Sequence, residues 1–343
     1  MGDELYMLRC LELAACGAGN VAPNPMVGAI LVHDNKIIGE GFHQLFGGVH
    51  AEVMAIESVR NENKQFIAEA SLYVSLEPCN HFGKTPPCTI KIIENGIKKV
   101  VVGVLDPNKS VDGGGIKVLM NSGVDVVCGV IENECRLLNK FFFTYQEKKR
   151  PFITLKWAES SDGFIGGVNY KRTKLTNQFS DKLVHKMRAE HMAVFAGGRT
   201  ILSDDPLLTN RFWKGKSPVR VTLDTKNNFS KQLNIFNEAA PSLIFNFEVK
   251  DKCGGVELIK IHASKNQFSE IIQSLFERNI NSMLVEGGAS TINLLVQQNL
   301  WDEMKVFITD KIIGVGIEAP ATAGKFISEE YIFGDILKTF HNK

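Results

Sequence analysis

Leu76-Glu77-Pro78-Cys79-Asn80-His81-Phe82-Gly83-Lys84-Thr85-Pro86-Pro87-Cys88, read together with His50-Ala51-Glu52 upstream, decides the fold of the first half of this chain. A catalytic zinc takes three protein ligands and keeps a fourth position open for water. His50, Cys79 and Cys88 supply three. A structural site would want a fourth, and His81, the nearby candidate, stands too close to Cys79 to be the default choice. Leu72 to Ser75 reads as a short buried strand that delivers Glu77-Pro78-Cys79 at its C-terminal end. His50 and Cys88 fall where helices should begin, and helix N-termini favour thiolates. Bound zinc lowers the pKa of its water from about 15.7 towards 7. Glu52, two residues past the histidine, can take that proton and hand it on, general acid–base work of roughly 10²–10⁴-fold.

Neither His-Ala-Glu nor Pro-Cys means anything alone. In this order, with a second cysteine near, they make the pattern of a zinc deaminase, in which the glutamate shuttles protons and is not a ligand. Around the pattern, strands and helices alternate. Leu5 to Ala15 has helical apolar spacing, and Gly17 and Gly19 follow as stop signals. Met26 to Val32 and Lys36 to Gly41 read as a hairpin over Asp34-Asn35. Strands at Val100 to Val104 and Val124 to Cys128, with helices at Thr89 to Asn95, Ile116 to Ser122 and Asn133 to Phe143, predict a mixed sheet between helices.

Gln146-Glu147-Lys148-Lys149-Arg150-Pro151 reads as a solvated linker. Beyond it the pattern restarts. Strands are expected at Phe152 to Ala158, Met192 to Ala196, Val219 to Leu223, Ser242 to Asn246, Met283 to Val285 and Lys305 to Thr309. Helices fit Asn177 to Arg188, Phe268 to Arg278 and Ser290 to Gln298. This second α/β domain has no G-x-G-x-x-G after a strand and no P-loop. Val285-Glu286-Gly287-Gly288, a strand running into a glycine pair and a helix, can offer backbone N–H groups to a phosphate, and so can Gly113 to Gly115, where a tight turn is the competing reading.

At 343 residues the chain suits two ordinary domains, and 44% hydrophobic with 22% charged residues is a soluble globular composition. A net charge of +1 gives no global case for nucleic acid and fits a small metabolite better. Lys171-Arg172-Thr173-Lys174 is a single short basic hairpin. The acidic Met1-Gly2-Asp3-Glu4 does not resemble a secretory signal and no apolar run approaches a membrane span, so a cytoplasmic location is expected. Seven irregularly spaced cysteines argue against a disulfide framework. Cys10, Cys16, Cys128, Cys135 and Cys253 have no ligand partner at the right spacing and read as ordinary core or surface residues.

The eight residues between Cys79 and Cys88 exceed the two of the general deaminase pattern. With this loop, Pro23-Asn24-Pro25-Met26-Val27-Gly28, Gly41-Phe42-His43, Asp106-Pro107-Asn108 and Gly113-Gly114-Gly115, the chain resembles the bifunctional riboflavin-biosynthesis deaminase–reductases. The likeness continues through Thr154-Leu155-Lys156-Trp157-Ala158, Ser160-Ser161-Asp162-Gly163, Arg188-Ala189-Glu190, Gly198-Arg199-Thr200-Ile201-Leu202-Ser203-Asp204-Asp205-Pro206, Leu208-Thr209-Asn210-Arg211 and Leu284-Val285-Glu286-Gly287-Gly288.

The resemblance implies an N-terminal cytidine-deaminase-like αβα sandwich over residues 1–147 and a C-terminal dihydrofolate-reductase-like α/β domain over 148–343. It implies zinc and NADPH as cofactors and a phosphoribosylaminopyrimidine as substrate. That substrate would lose its 2-amino group and then have its ribosyl chain reduced to ribityl. Asn24 would hold the ring edge, and His43 and His81 would line the pocket. Arg188 and Arg211 would clamp the phosphate, with Leu208 beside them. Ala158, Thr200, Asp204, Thr225, Gly287 and Gly288 would surround NADPH. Lys156 and Glu286 would stand near the transferred hydride or the ribose hydroxyls.

Several positions depart from the family. Val49 replaces a proline, Ser161 replaces a leucine, Lys174-Leu175 stand where Trp-Ile is common, and residues after Val315 match least and receive no role. A deaminase with an inactive reductase-like domain, a nucleic-acid deaminase, and a purely structural zinc protein compete with the bifunctional reading. Homo-oligomerisation and channelling between sites stay open.

Overall fold

The computed structural model describes residues 2–82, 86–108, 114–168, 173–264 and 266–342. The chain divides into two compact units, Met1–Lys149 and Arg150–Lys343.

In the first unit a five-stranded mixed sheet runs in the order β2 (Lys36–Phe42), β1 (Gly28–His33), β3 (Ser71–Leu76), β4 (Lys99–Val104), β5 (Asp125–Cys128). Asp34 and Asn35 make the β1–β2 turn at φ 48° and 59°, the left-handed pair that suits a two-residue hairpin. β1 is antiparallel to β3, and β3, β4 and β5 are parallel. Period-two alternation feeds two cores. Ala29, Leu31, Leu72, Val74, Val100 and Val102 meet α2 (Ala51–Glu57) and α3 (Cys88–Glu94) on one face. Ile30, Tyr73 and Val101 meet α1 (Asp3–Ala15), α5 (Glu132–Leu138) and α6 (Lys140–Lys148) on the other. α4 (Gly114–Asn121) follows β4, and the result is the expected αβα sandwich.

Two expectations need correction here. The single helix read over Asn133 to Phe143 is broken at Asn139, whose buried amide donates to Met26 O and accepts from Met26 N–H, both at 2.8 Å. The supposed linker is largely helical: Gln146 to Lys148 finish α6, Glu147 pairs with Arg136, and the chain turns at Lys149 with φ 52°. Arg150 is bound to Asp302 at 2.6 and 2.8 Å and belongs to the second unit's packing.

That unit holds a ten-stranded sheet, β11 (Asp251–Cys253), β12 (Val256–Lys260), β10 (Ser242–Asn246), β9 (Val219–Asp224), β8 (Ala193–Gly197), β13 (Ser282–Glu286), β6 (Phe152–Glu159), β14 (Glu303–Ile308), β17 (Asp335–His341), β16 (Lys325–Ile332). From β12 to β14 it is parallel, and β11, β17 and β16 close it antiparallel. Ala193, Phe195, Met283 and Val285 face one core, and Val194, Ala196 and Leu284 the other. A short pair, β7 (Phe164–Gly167) with β15 (Gly316–Glu318), stands apart from this sheet. The chain after Val315, assigned no role from sequence, supplies β15, β16 and β17. No helix among the described residues is long and apolar enough to cross a membrane.

Candidate active sites

His50 is the N-cap of α2, Cys79 lies three residues past β3, and Cys88 is the first residue of α3. The ligand atoms of the three lie within 4.8 Å of one another. His50 Nδ1 is 3.3 Å from Cys88 Sγ and 3.4 Å from Cys79 Sγ. Zinc bonds of about 2.0 Å to nitrogen and 2.3 Å to sulfur at tetrahedral angles separate N and S by about 3.6 Å. The donor set therefore fits zinc in type and spacing. The Cys88 backbone N–H donates to Cys79 Sγ at 3.3 Å. The Cys79 thiol is pulled down to about 4, first by a hydrogen bond from the Cys88 thiol, then by His50 and the Cys88 backbone N–H. Cys88 is pushed up by that thiol–thiol hydrogen bond and by burial.

Glu52 is buried in the first turn of α2, on the turn that follows His50. Burial pushes its carboxyl up to about 7, and the Cys79 charge adds to the shift. His43 is buried beside His50, their rings edge-on at 5.4 Å. Its Nδ1 is 3.0 Å from Val49 O, which can only accept, so Nδ1 carries the proton. Nε2 then accepts from Asn24 Nδ2 at 3.3 Å. Burial lowers the His43 pKa, which keeps this neutral tautomer. Asn24 and His43 thus form one relay ending on Val49, where a backbone carbonyl is enough and the side chain makes no difference. His81 is exposed on the loop between the cysteines, and residues 83–85 of that loop lie outside the described residues.

Sequence reasoning missed Glu77. Its buried carboxylate accepts from Gly115 N–H at 3.0 Å, Ile116 N–H at 3.4 Å and Asp106 N–H at 3.2 Å. The N–H of Gly115 is therefore occupied by the chain's own carboxylate, which answers the nest expected at Gly113 to Gly115. Gly113 itself lies outside the described residues. A Cβ on Gly115 would stand 2.1 Å from Pro78 O, so only glycine lets α4 pack against Glu77-Pro78-Cys79.

In the second unit the carboxyl ends of β6 and β13 open on a cavity of about 510 Å³, where open parallel sheets hold ligands. It gathers Lys156, Ala158, Arg188, Thr200, Asp204, Leu208, Arg211, Glu286, Gly287 and Gly288 from distant parts of the chain. Arg188, on α7 (Gln178–Glu190), binds Glu286 through both oxygens at 2.6 and 2.9 Å and donates to Thr209 O at 3.0 Å. Most of its guanidinium is thus committed to the protein, whereas Arg211 stands exposed at the cavity, donating to Thr209 Oγ1 at 3.2 Å. Burial works to raise Glu286, but Arg188 and Lys156 overcome it and hold the carboxyl at about 2. Burial lowers Lys156, with Glu286 opposing.

Thr225 does not line this cavity. It lines another of about 380 Å³ past the end of β9, with Arg199, Lys226 and Ser290. Between them a third, of about 430 Å³, shares Thr200, Asp204 and Gly288 with the first and Gly197, Gly198 and Ser290 with the second. A continuous groove therefore runs from Lys156 to Thr225. α8 (Gly198–Asp204), which the sequence reading left without an element, forms its wall. Ser161 bonds Lys311 O, Leu175 is a buried wall residue, and Lys174 pairs with Asp181 at 3.2 Å. Lys171 and Arg172 lie outside the described residues. His185, also missed, lines the first cavity, beside Arg188 and Arg211.

Comparison with known proteins divides the chain the same way. Residues 1–104 match the family model of the cytidine and deoxycytidylate deaminase zinc-binding region, and residues 151–328 match that of the RibD C-terminal domain. The riboflavin biosynthesis protein RibD of Aquifex aeolicus is 40% identical over 322 residues, 92% of this chain and 89% of that protein. RibD of Escherichia coli K12 is 33% identical over 333 residues, covering 92% and 89%. The crystal structure of the Thermotoga maritima diaminohydroxyphosphoribosylaminopyrimidine deaminase/5-amino-6-(5-phosphoribosylamino)uracil reductase aligns over 99% of both chains at 40% identity with a TM-score of 0.91. Acinetobacter baumannii RibD gives 0.89 at 29% identity and the same coverage. A deaminase-type metal cluster before the break, a reductase-type cleft after it and relatives spanning both place this chain in the RibD family of riboflavin-biosynthesis proteins.

Proposed function

We propose that the chain catalyses two consecutive steps on one phosphorylated pyrimidine. The residues before the break deaminate 2,5-diamino-6-(5-phosphoribosylamino)pyrimidin-4(3H)-one, and those after it reduce the ribosyl side chain of the product to ribityl with NADPH. The observation that carries this reading is that each unit gathers its own set of reactive groups: a His-Cys-Cys cluster beside a buried glutamate in one, a Lys-Glu-Arg cluster in a cavity of about 510 Å³ in the other. When bound, zinc on His50, Cys79 and Cys88 supplies the Lewis acidity that activates a water, and NADPH supplies the hydride.

The protein's own groups do the rest. Glu52 takes the proton of the attacking water and returns it to the departing amine, which leaves as ammonia while the ring carbon becomes a carbonyl. Asn24, fixed by His43, presents its remaining amide groups to the ring edge, and His81 lies on the loop at the rim. In the cleft, Lys156 faces the reacting end of the ribosyl chain, its ammonium held by Glu286. Arg211 meets the substrate phosphate, Leu208 backs it, and Arg188 orients Glu286. Ala158, Thr200, Asp204, Gly287, Gly288 and Thr225 follow the groove and line the cofactor's path. The balanced charge supports action on a small metabolite without nucleic acid, and the cytoplasm is the setting proposed for it.

Mass spectrometry of the diaminopyrimidine ribosyl phosphate after incubation with zinc-loaded protein tests both steps. Deamination without NADPH, and addition of two hydrogens only with it, is the expected result. Deamination with no reduced product at any NADPH concentration would leave the second unit without its proposed activity.

A further inference from the structure

His185 is buried at the cavity, 4% exposed, one helical turn before Arg188 on α7, so both project from one face of that helix. Its Nδ1 lies 2.8 Å from the backbone nitrogen of Arg211. That N–H can only donate, so Nδ1 is the acceptor and the proton of the neutral ring sits on Nε2. From the same helix face, Arg188 donates to Thr209 O at 3.0 Å. α7 therefore grips the segment 209–211 at both ends. The segment needs such fastening, because Leu208 just before it is in the left-handed region at φ 53°, a strained conformation for leucine. Phe212, just after it, packs its ring on the imidazole at 4.5 Å.

We propose that His185 is a positioning residue for the reductase reaction: its imidazole holds the Arg211 backbone so that the guanidinium stands over the substrate phosphate. The role rests on the reading of Arg211 given above and adds the element that places it. It requires an unprotonated Nδ1, and burial, with the charges of Arg188 and Arg211 outweighing Glu286, favours that state. His185 itself touches neither hydride nor proton in the reaction.

The test is steady-state kinetics of the reduction, on full-length zinc-loaded protein, with the deaminated intermediate as the varied substrate. His185→Ala removes the acceptor and should raise KM by roughly tenfold, the cost of one such bond, with kcat nearly unchanged. His185→Asn puts an oxygen where Nδ1 was and should restore KM. His185→Gln puts one nearer the Nε2 position and should not. Deamination by the same samples reports on the first unit. All three tryptophans, Trp157, Trp213 and Trp301, lie in the second unit, so their fluorescence reports on its fold. Unchanged KM in His185→Ala, a fall confined to kcat, or equal rescue by Asn and Gln each overturns the proposal. Should the alanine variant not fold, the contrast between Asn and Gln decides alone. Arg211→Gln separates the layers: if it leaves KM unchanged, the phosphate reading fails and the proposal with it. If it raises KM while the His185 variants do not, the positioning role alone fails.

Discussion

The guanidinium of Arg188 holds both oxygens of the Glu286 carboxylate, at 2.6 and 2.9 Å, while Lys156 Nζ stands 3.8 Å from Oε2. All three side chains are mostly buried, so a lost partner is only partly replaced by water from the cavity. Removing one charge of a buried pair strands the other, at about 3–5 kcal/mol. Arg188→Met leaves Glu286 only the more distant Lys156 and should destabilise the second unit by up to about that amount. Glu286→Gln should cost less on top of Arg188→Met than in the wild type, because the Arg188–Glu286 bond is already gone, although Lys156 then loses its counter-charge, and reduction stays impaired. Urea unfolding followed by tryptophan fluorescence measures the coupling as a double-mutant cycle. Strictly additive losses would show that the two residues do not act as a pair.

The metal cluster and the reductase cleft belong to different units, and their losses should be separable. Cys88→Ser should lose zinc and deamination while keeping NADPH binding and reduction of supplied intermediate. Glu52→Gln should keep zinc, fold and reduction but lose deamination by roughly 10²–10⁴-fold, since only the proton carrier is gone. Metal content per chain, read beside the two activities, distinguishes the variants. A Glu52→Gln protein that still deaminates at full rate would remove the glutamate from the chemistry.

Glu77 and Gly115 offer a test of how the cluster is held. The Glu77 carboxylate, two residues before Cys79, holds the start of α4 and the Asp106 N–H, and the glycine gives α4 room beside Pro78. Gly115→Ala forces a Cβ to within 2.1 Å of a carbonyl oxygen, and the segment Glu77-Pro78-Cys79 must shift. Zinc affinity should fall by about 10–100-fold, the usual cost of disturbing what orients a ligand. Competition with a chelator measures it. Unchanged affinity would mean that Cys79 is placed by β3 and α3 without help from α4.

What the sequence made legible was whatever is local. Continuous apolar runs in β1, β3 and β4 announced buried strands, and His50, Glu52, Cys79 and Cys88 were readable because metal chemistry restricts residue type and order. Long-range partners were not readable. Nothing near Asn139 signals that its amide will bind Met26, 113 residues earlier, and so break a helix. Nothing near His185 signals Arg211. β16 and β17 follow the last resembling motif, and their place is set by pairing with β14. The resemblance implied a phosphate role for Arg188, and its bond to Glu286, which joins residues 98 apart, was not readable beside it.

Acidification tests the buried imidazole in a different way. Burial, then the charges of Arg188 and Arg211 against that of Glu286, hold His185 at about 4 instead of 6.5. The unfolded chain takes up its proton near 6.5 and the folded chain only near 4, so between these values the unfolded state binds more protons. Stability of the second unit must then fall as pH drops from 6.5 to 4, at up to about 1.4 kcal/mol per pH unit and about 3 kcal/mol in all. Glu286 acts in a separate window: its stabilising contribution is complete above 4.5 and is lost only as pH falls towards 2. His185→Asn keeps an acceptor for Arg211 but cannot titrate. The stability difference between wild type and this variant should therefore shrink steadily from about pH 7 to about pH 5. Urea unfolding at a series of pH values, read by the three tryptophans, measures that difference while every other titrating group cancels. Parallel losses in the two proteins would mean that the folded imidazole titrates like the unfolded one and exerts no neutral hold on Arg211.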